Sequence, residues 1–138
     1  QVLDAEDKLK LLSFSTYEEF AIRVYENRKK LNDLLKSIKK SEKTIVGISA
    51  PARSATVLNF CNIDSTVLDY IVEKSTLKIG KLTPGSHIEV VDDSKLIEDQ
   101  PEYALLLSWH LNDSIVSKIK NDGFLGKIII PLPEPKIV

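Results

Sequence analysis

Apolar residues recur at helical spacing along the first third of the chain: Tyr17, Phe20, Ala21, Val24, Tyr25, Leu31, Leu34, Leu35 and Ile38. This period predicts one long amphipathic helix from about Thr16 to Lys40. Ser15 followed three positions later by Glu18 reads as a capping box at its start. Glu18 and Glu19 in the first turn, with Lys39 and Lys40 in the last, complement the helix dipole. Residues 1–15 read as a linker or a frayed helix, and residues 16–138 as a single domain.

Beyond that helix the pattern alternates. Short apolar runs at Thr44–Ile48, Val67–Val72, His87–Val91, Tyr103–Ser108 and Lys127–Pro131 are predicted strands. Between them, Ser54–Cys61 and Asn112–Asn121 are predicted helices, with a short helical turn near Ser94–Glu98. The Pro-rich end after Pro131 stops the last strand. The first, fourth and fifth runs (IVGI, ALLL, IIIPL) are nearly continuous in apolar residues. Strands read that way when both faces are buried, as in a parallel sheet. The prediction is an α/β fold: a Rossmann-like open parallel five-stranded sheet of order 3-2-1-4-5, helices on both faces, and the long helix in front.

Composition narrows the class. The chain has 138 residues, 43% of them hydrophobic and 28% charged, which suits one globular domain. A formal net charge of -1 argues against a nucleic-acid partner held by bulk charge. No apolar run approaches the roughly 20 residues of a membrane span, and no signal peptide opens the chain. Cys61 is the single cysteine, so no internal disulfide or cysteine-rich metal site is expected, and a reducing cytoplasm fits. The chain begins at Gln1 and contains no methionine, which reads as a piece of a longer protein.

Open α/β sheets bind ligands beyond the carboxyl ends of their strands, where strand order reverses. Here that point falls between the first and fourth strands. The small-residue turn Ser49-Ala50-Pro51-Ala52-Arg53-Ser54 leads into a helix whose backbone N–H groups and hydroxyls suit an anion. Arg53 fits a diphosphate or carboxylate with its planar fork, or is a solvated surface arginine. Ser54 reads as the N-cap. Glu73, 26 positions after Gly47, stands where a dinucleotide enzyme keeps its ribose-binding acid. Trp109 offers a stacking face or closes the core, and His110 lies beside it at the reversal point. His87, after Pro84-Gly85, is either a general base or a histidine that fixes its loop. The first turn lacks GxGxxG, and Pro51 removes a backbone donor, which disfavours pyrophosphate held against the backbone as in a dehydrogenase.

Four segments together resemble one family. GISAPARSATVLNFCNI is similar to GYGAPAKGNTLLNYCGI, LKIGKLTPGSHIEV to LKQGKYTPGTHIPI, YALLLSWHLNDSI to YVLLLAWNFADEI, and KIIIPLPE to KFIVPIPE. In this order, over roughly Tyr17 to Val138, they resemble the C-terminal domain of the sugar C-methyltransferases, which methylate a carbon of a nucleotide-linked 4-keto sugar with S-adenosylmethionine. The resemblance implies a Rossmann-like domain that helps close the nucleotide-sugar site. Its partner would be an upstream methyltransferase domain holding the methyl donor and the catalytic base, entered through residues 1–15. No cofactor and no metal would belong to this part, and it would be inactive alone. Carried over by position, Ala50-Pro51-Ala52-Arg53, Thr56, Asn59, Thr83-Pro84-Gly85-Ser86-His87 and Trp109 match the family pattern. Ser49 and Ser54 stand where glycine is usual. Ala55 and His110 replace asparagine, Glu73 replaces aspartate and Ile79 replaces glutamine. On this reading Arg53 and the nearby hydroxyls hold phosphate or ribose, His87 and His110 line the sugar side, and Trp109 shapes the wall. Two other readings stay open: a dinucleotide- or coenzyme-binding module, and a non-binding scaffold that docks to a neighbour.

Overall fold

In a computed structural model describing residues 2–138, the long amphipathic pattern forms α2 (Phe14–Lys40), preceded by a short helix α1 (Val2–Lys8). The capping box is not used. Ser13 is the N-cap, without a side-chain capping bond. Ser15 Oγ instead faces Ser13 Oγ at 2.8 Å, and Thr16 Oγ1 and Tyr17 Oη donate to the carbonyls of Lys10 and Leu11. The polar groups near the start of α2 thus tie it to the turn before it.

The remaining elements are β1 (Ile45–Ile48), α3 (Ser54–Cys61), β2 (Ile71–Glu73), β3 (Val90–Asp92), α4 (Lys95–Asp99), β4 (Tyr103–Leu106), α5 (Asn112–Asn121), β5 (Lys127–Ile130) and β6 (Lys136–Ile137). A 3-10 turn, Trp109–Leu111, leads into α5. The sheet order is β3-β2-β1-β4-β5-β6, with β1 to β5 mutually parallel and β6 antiparallel to β5. The predicted 3-2-1-4-5 order stands. The sixth strand extends it, because the chain turns back after its prolines rather than ending the sheet there.

Side chains alternate between two buried layers, as strands covered on both faces require. Ile45, Leu105 and Ile129 face a layer with Leu31, Leu35 and Ile38 of α2 and Leu58 and Cys61 of α3. Val46, Ile48, Ala104, Leu106, Ile128 and Ile130 face the other, closed by Leu96 of α4 and by Ile115, Val116 and Ile119 of α5. Gly47 sits where a Cβ would come 2.6 Å from Ile71 Cγ1, so the small residue in mid-strand is a packing requirement. Cys61 is a buried apolar filler, and burial pushes its thiol up.

Two strands are shorter than their apolar runs. Val67 and Leu68 precede β2 in a turn built on Asp64, whose carboxylate accepts from the Thr66 amide and hydroxyl. Leu68 is buried there without strand geometry. Before β3 the chain pairs antiparallel to the segment it has just left: the Thr83 amide donates to the Ile88 carbonyl, the Ile88 amide donates to Thr83 Oγ1, and Leu82 bridges Glu89. The β2–β3 connection is therefore a ribbon that descends to the amino edge of the sheet, turns at Thr83–Ser86 and climbs back as β3. Among the described residues, no helix is long and apolar enough to cross a membrane.

Candidate functional site

Five parallel strands deliver five loops to one edge. After β1 the chain crosses to the α3 face, and after β4 it crosses to the α5 face, so strand order reverses between β1 and β4. This is the reversal point expected from the sequence. It is bridged by the protein itself: Ser49 Oγ and Ser108 Oγ lie 2.6 Å apart across it. Ser49 adopts φ 64° to make the turn, a left-handed conformation that glycine takes more readily.

The open space lies to one side. A cleft of about 480 Å³ is floored by Ile48 and Val72 and walled by Leu96 and Ile97 of α4 and Ile115 and Ile119 of α5. Its mouth carries Ser49, Glu73, Lys74, Asp93, Ser94, Lys118 and Asp122. Both lysines are paired, Lys74 with Asp93 at 3.6 Å and Lys118 with Asp122. The cleft is an aliphatic slot whose lip carries three carboxylates and two lysines, the third carboxylate, Glu73, pairing with Lys78 outside the lining.

Glu73 is fully engaged. One carboxylate oxygen accepts the Ala50 amide at 2.8 Å and the Lys78 ammonium at 3.2 Å. The other accepts the amides of Lys74 and Ser75. Lys78 also donates to the Ala50 carbonyl at 2.8 Å. Burial pushes the Glu73 carboxyl up, but the bonds from Ala50, Ser75, Lys74 and Lys78 outweigh it and hold it below the ordinary carboxylate range. Glu73 acts here as a latch between the loops after β1 and β2.

The same bonds decide how much of an anion cradle the first turn offers. The Ser49 amide is taken by the Val72 carbonyl, the Ala50 amide by Glu73 and the Ser54 amide by the Pro51 carbonyl; Pro51 has none. In this turn only the amides of Ala52 and Arg53 lack a partner among the described residues. Ser54 is not the N-cap. Arg53 is, and the buried Ser54 hydroxyl donates to the Pro51 carbonyl at 2.7 Å. The Arg53 side chain is exposed, with no ion pair among the described residues. Thr56 is exposed one turn further along α3.

Trp109 is half-buried against the α5-side layer, and His110 is exposed beside it, their rings 6.4 Å apart edge to face. His87 does not join them. It precedes β3 at the amino edge, at φ 52°, whereas His110 follows β4 at the carboxyl edge. Pro84 and Gly85 are in the same amino-edge turn, clamped by Asn59 near the end of α3, whose Nδ2 donates to the Pro84 carbonyl at 3.0 Å. A Cβ on Gly85 would sit 2.2 Å from Asn59 Oδ1, so glycine is needed both for space and for φ 79°. Below it, Thr83 and Ser86 share a buried hydroxyl pair at 2.7 Å. The expected residues thus divide: Ser49, Pro51, Arg53, Ser54, Thr56, Glu73, Trp109 and His110 lie toward the carboxyl edge, while Asn59, Pro84, Gly85 and His87 build a turn toward the other end. Sequence reasoning placed Lys74 on the rim, within the segment after the second strand, but missed Ser108, Asp93 and Lys118. Ser108 ends the predicted fourth strand and Asp93 directly follows β3, so both carry the signal of a polar residue at the carboxyl end of a strand.

Comparison with known proteins gives two matches. Residues 1–133 match the family described as C-methyltransferase C-terminal domain. Over 125 residues the chain is 31% identical to the C-methyltransferase NovU of Streptomyces niveus, covering 88% of this chain and 29% of that protein. The chain therefore spans less than a third of the relative's length.

Proposed function

The chain belongs to the family of C-methyltransferase C-terminal domains, and from that membership we propose that it is the substrate-holding domain of an S-adenosylmethionine-dependent C-methyltransferase acting on a nucleotide-linked keto sugar. The observation that carries this reading is the aliphatic cleft of about 480 Å³ at the carboxyl edge, which the turn after β1 reaches through Ser49 before it crosses to α3 and the unpaired Arg53. Ligand sites of open α/β sheets form at that edge. The apolar floor would take the flat or deoxygenated parts of the ligand. Arg53, with the free amides of Ala52 and Arg53, would meet its diphosphate. Trp109 and His110 would bound the sugar end.

The methyl donor does not fit this edge. S-adenosylmethionine would bring the methyl group, but the β1 turn has too few free amides to cradle it, and the acid in the ribose-binding position is spent on Ala50, Lys74, Ser75 and Lys78. The same saturation disfavours a dinucleotide module. The donor belongs to another part of the enzyme, and this domain alone carries out no methyl transfer.

Isothermal titration of the 138-residue chain with thymidine-, guanosine- and cytidine-diphospho sugars tests the proposal. One of the three is expected to bind, and Arg53→Ala to weaken it roughly tenfold or more, the loss of a charge-assisted bond. Binding by none, or binding indifferent to Arg53, would remove the reading.

A further inference from the structure

The slot between α4 and α5 has apolar walls, and most of the polar groups on its rim are occupied. Glu73 is saturated, and Lys74 and Lys118, both exposed, are paired with Asp93 and Asp122. The amide and hydroxyl of Ser94 are engaged by Asp92. Ser49 is different. It lines the slot next to Ile48 of the floor, half-buried, at the reversal point.

Two hydroxyls 2.6 Å apart, Ser49 and Ser108, share one hydrogen bond and so use one of their two hydrogens. Ser108 is only 7% exposed, and among the described residues its hydroxyl has no other partner. A buried hydroxyl that donates to nothing is costly, so the Ser108 hydrogen goes to Ser49 Oγ. The Ser49 hydrogen is then the one left over, on the side chain that reaches the slot. Accepting from Ser108 polarises the Ser49 hydroxyl and strengthens it as a donor. The backbone holds it in place: Ser49 keeps φ 64°, a strained conformation for serine and an easy one for glycine, with its amide fixed on the Val72 carbonyl at 2.8 Å. In the family segments, glycine stands opposite Ser49 and alanine opposite Ser108, so the pair is this chain's own.

We infer that Ser49, held and polarised by Ser108, is the specificity-determining donor of the slot and hydrogen-bonds an uncharged carbonyl oxygen of the ligand. The inference rests on the functional reading above. A neutral donor among aliphatic side chains rejects a ligand that brings no acceptor to it. The three carboxylates on the lip, against two lysines, favour a neutral acceptor there over a phosphate. In a nucleotide-linked keto sugar that acceptor is the sugar ketone or a carbonyl of the base. Ser108 is a positioning residue that acts through Ser49.

Ligand-observed NMR with cyclohexanone and with methylenecyclohexane, the same ring without the oxygen, tests the donor apart from any nucleotide. The variant is Ser49→Gly with Ser108→Ala, which leaves no buried hydroxyl unpaired and suits the left-handed turn, so its Tm should match or exceed the wild type. The affinity of the ketone relative to methylenecyclohexane should fall several-fold in this variant. It should fall less in Ser108→Ala alone and recover in Ser108→Thr. Titration with the sugar nucleotide that the wild type binds should show a loss of about fivefold in the double variant, the worth of one neutral hydrogen bond. The same loss with the nucleoside diphosphate alone assigns the base carbonyl; a loss confined to the sugar nucleotide assigns the ketone. An unchanged ratio, or no saturation transfer to cyclohexanone at all, overturns the inference, as does a sugar nucleotide that binds wild type and double variant equally; that last result leaves the functional reading intact. A ratio that falls while no sugar nucleotide binds keeps the donor and removes the functional reading.

Discussion

At the residue scale, the two loops that frame the candidate site are held by one carboxylate. Glu73 receives three amides and an ammonium, with its side chain only 12% exposed. Replacing it by Gln keeps the shape and removes the charge, which should cost about 2 kcal/mol at neutral pH, the worth of charge-assisted bonds lost from a mostly buried acceptor. The pH dependence has a definite sign. The folded-state carboxyl is held below its ordinary value of 4.5, so its contribution is complete above that value and is lost as pH falls through the lowered one. Urea midpoints of the wild type and Glu73→Gln should differ at pH 7 and converge in acid. A difference that persists unchanged into strong acid would mean the charge is not the source. None of this latch is legible in the sequence, where Glu73 and Ala50 are separated by 23 positions. A strand-end acid looks the same whether it awaits a ribose or ties down its own loops.

At the scale of elements, legibility follows punctuation. Helices α3 and α5 fall on their predicted bounds, since each follows a strand and a break in apolar pattern. Strands β2 and β3 are misplaced by a few residues because Val67, Leu68 and Ile88 are apolar for reasons other than ladder pairing: they fill the core from a turn and from an antiparallel ribbon. β6 was hidden by its length and by the prolines ahead of it. Its role is nonetheless testable. It covers β5, with Ile128 and Val138 exchanging backbone bonds of 3.0 and 2.9 Å. A chain ending at Pro135 bares the N–H and C=O groups of a strand that is otherwise buried and apolar, the arrangement that invites edge pairing between molecules. Such a chain should lose about 2 kcal/mol, from two or more backbone bonds and the packing of Ile137, and should scatter light at concentrations where the intact chain does not. Identical urea midpoints and clear solutions would show β6 to be ornamental.

For the whole molecule, the parallel order of β1 to β5 is what collects distant loops at one edge, and that much follows from apolar runs alternating with helices. What the runs do not encode is which side of the reversal point stays open. A hydroxyl pair 59 positions apart, Ser49 and Ser108, bridges the point itself and leaves the space between α4 and α5. The division of labour that results predicts different thermal responses to the two substrates of the proposed reaction. A ligand present at about a hundred times its dissociation constant stabilises the folded chain by about 2.7 kcal/mol, which for a domain of this size raises Tm by roughly 8 °C. The matching sugar nucleotide should do so, because its cleft and its arginine are present. S-adenosylmethionine should leave Tm unchanged, because the turn that would cradle it has spent three of its amides on Val72, Glu73 and Pro51. Scanning fluorimetry of the same chain with each compound decides the matter: a rise with S-adenosylmethionine places the donor on this edge after all, and a rise with neither ligand leaves the carboxyl-edge cleft without the occupant assigned to it.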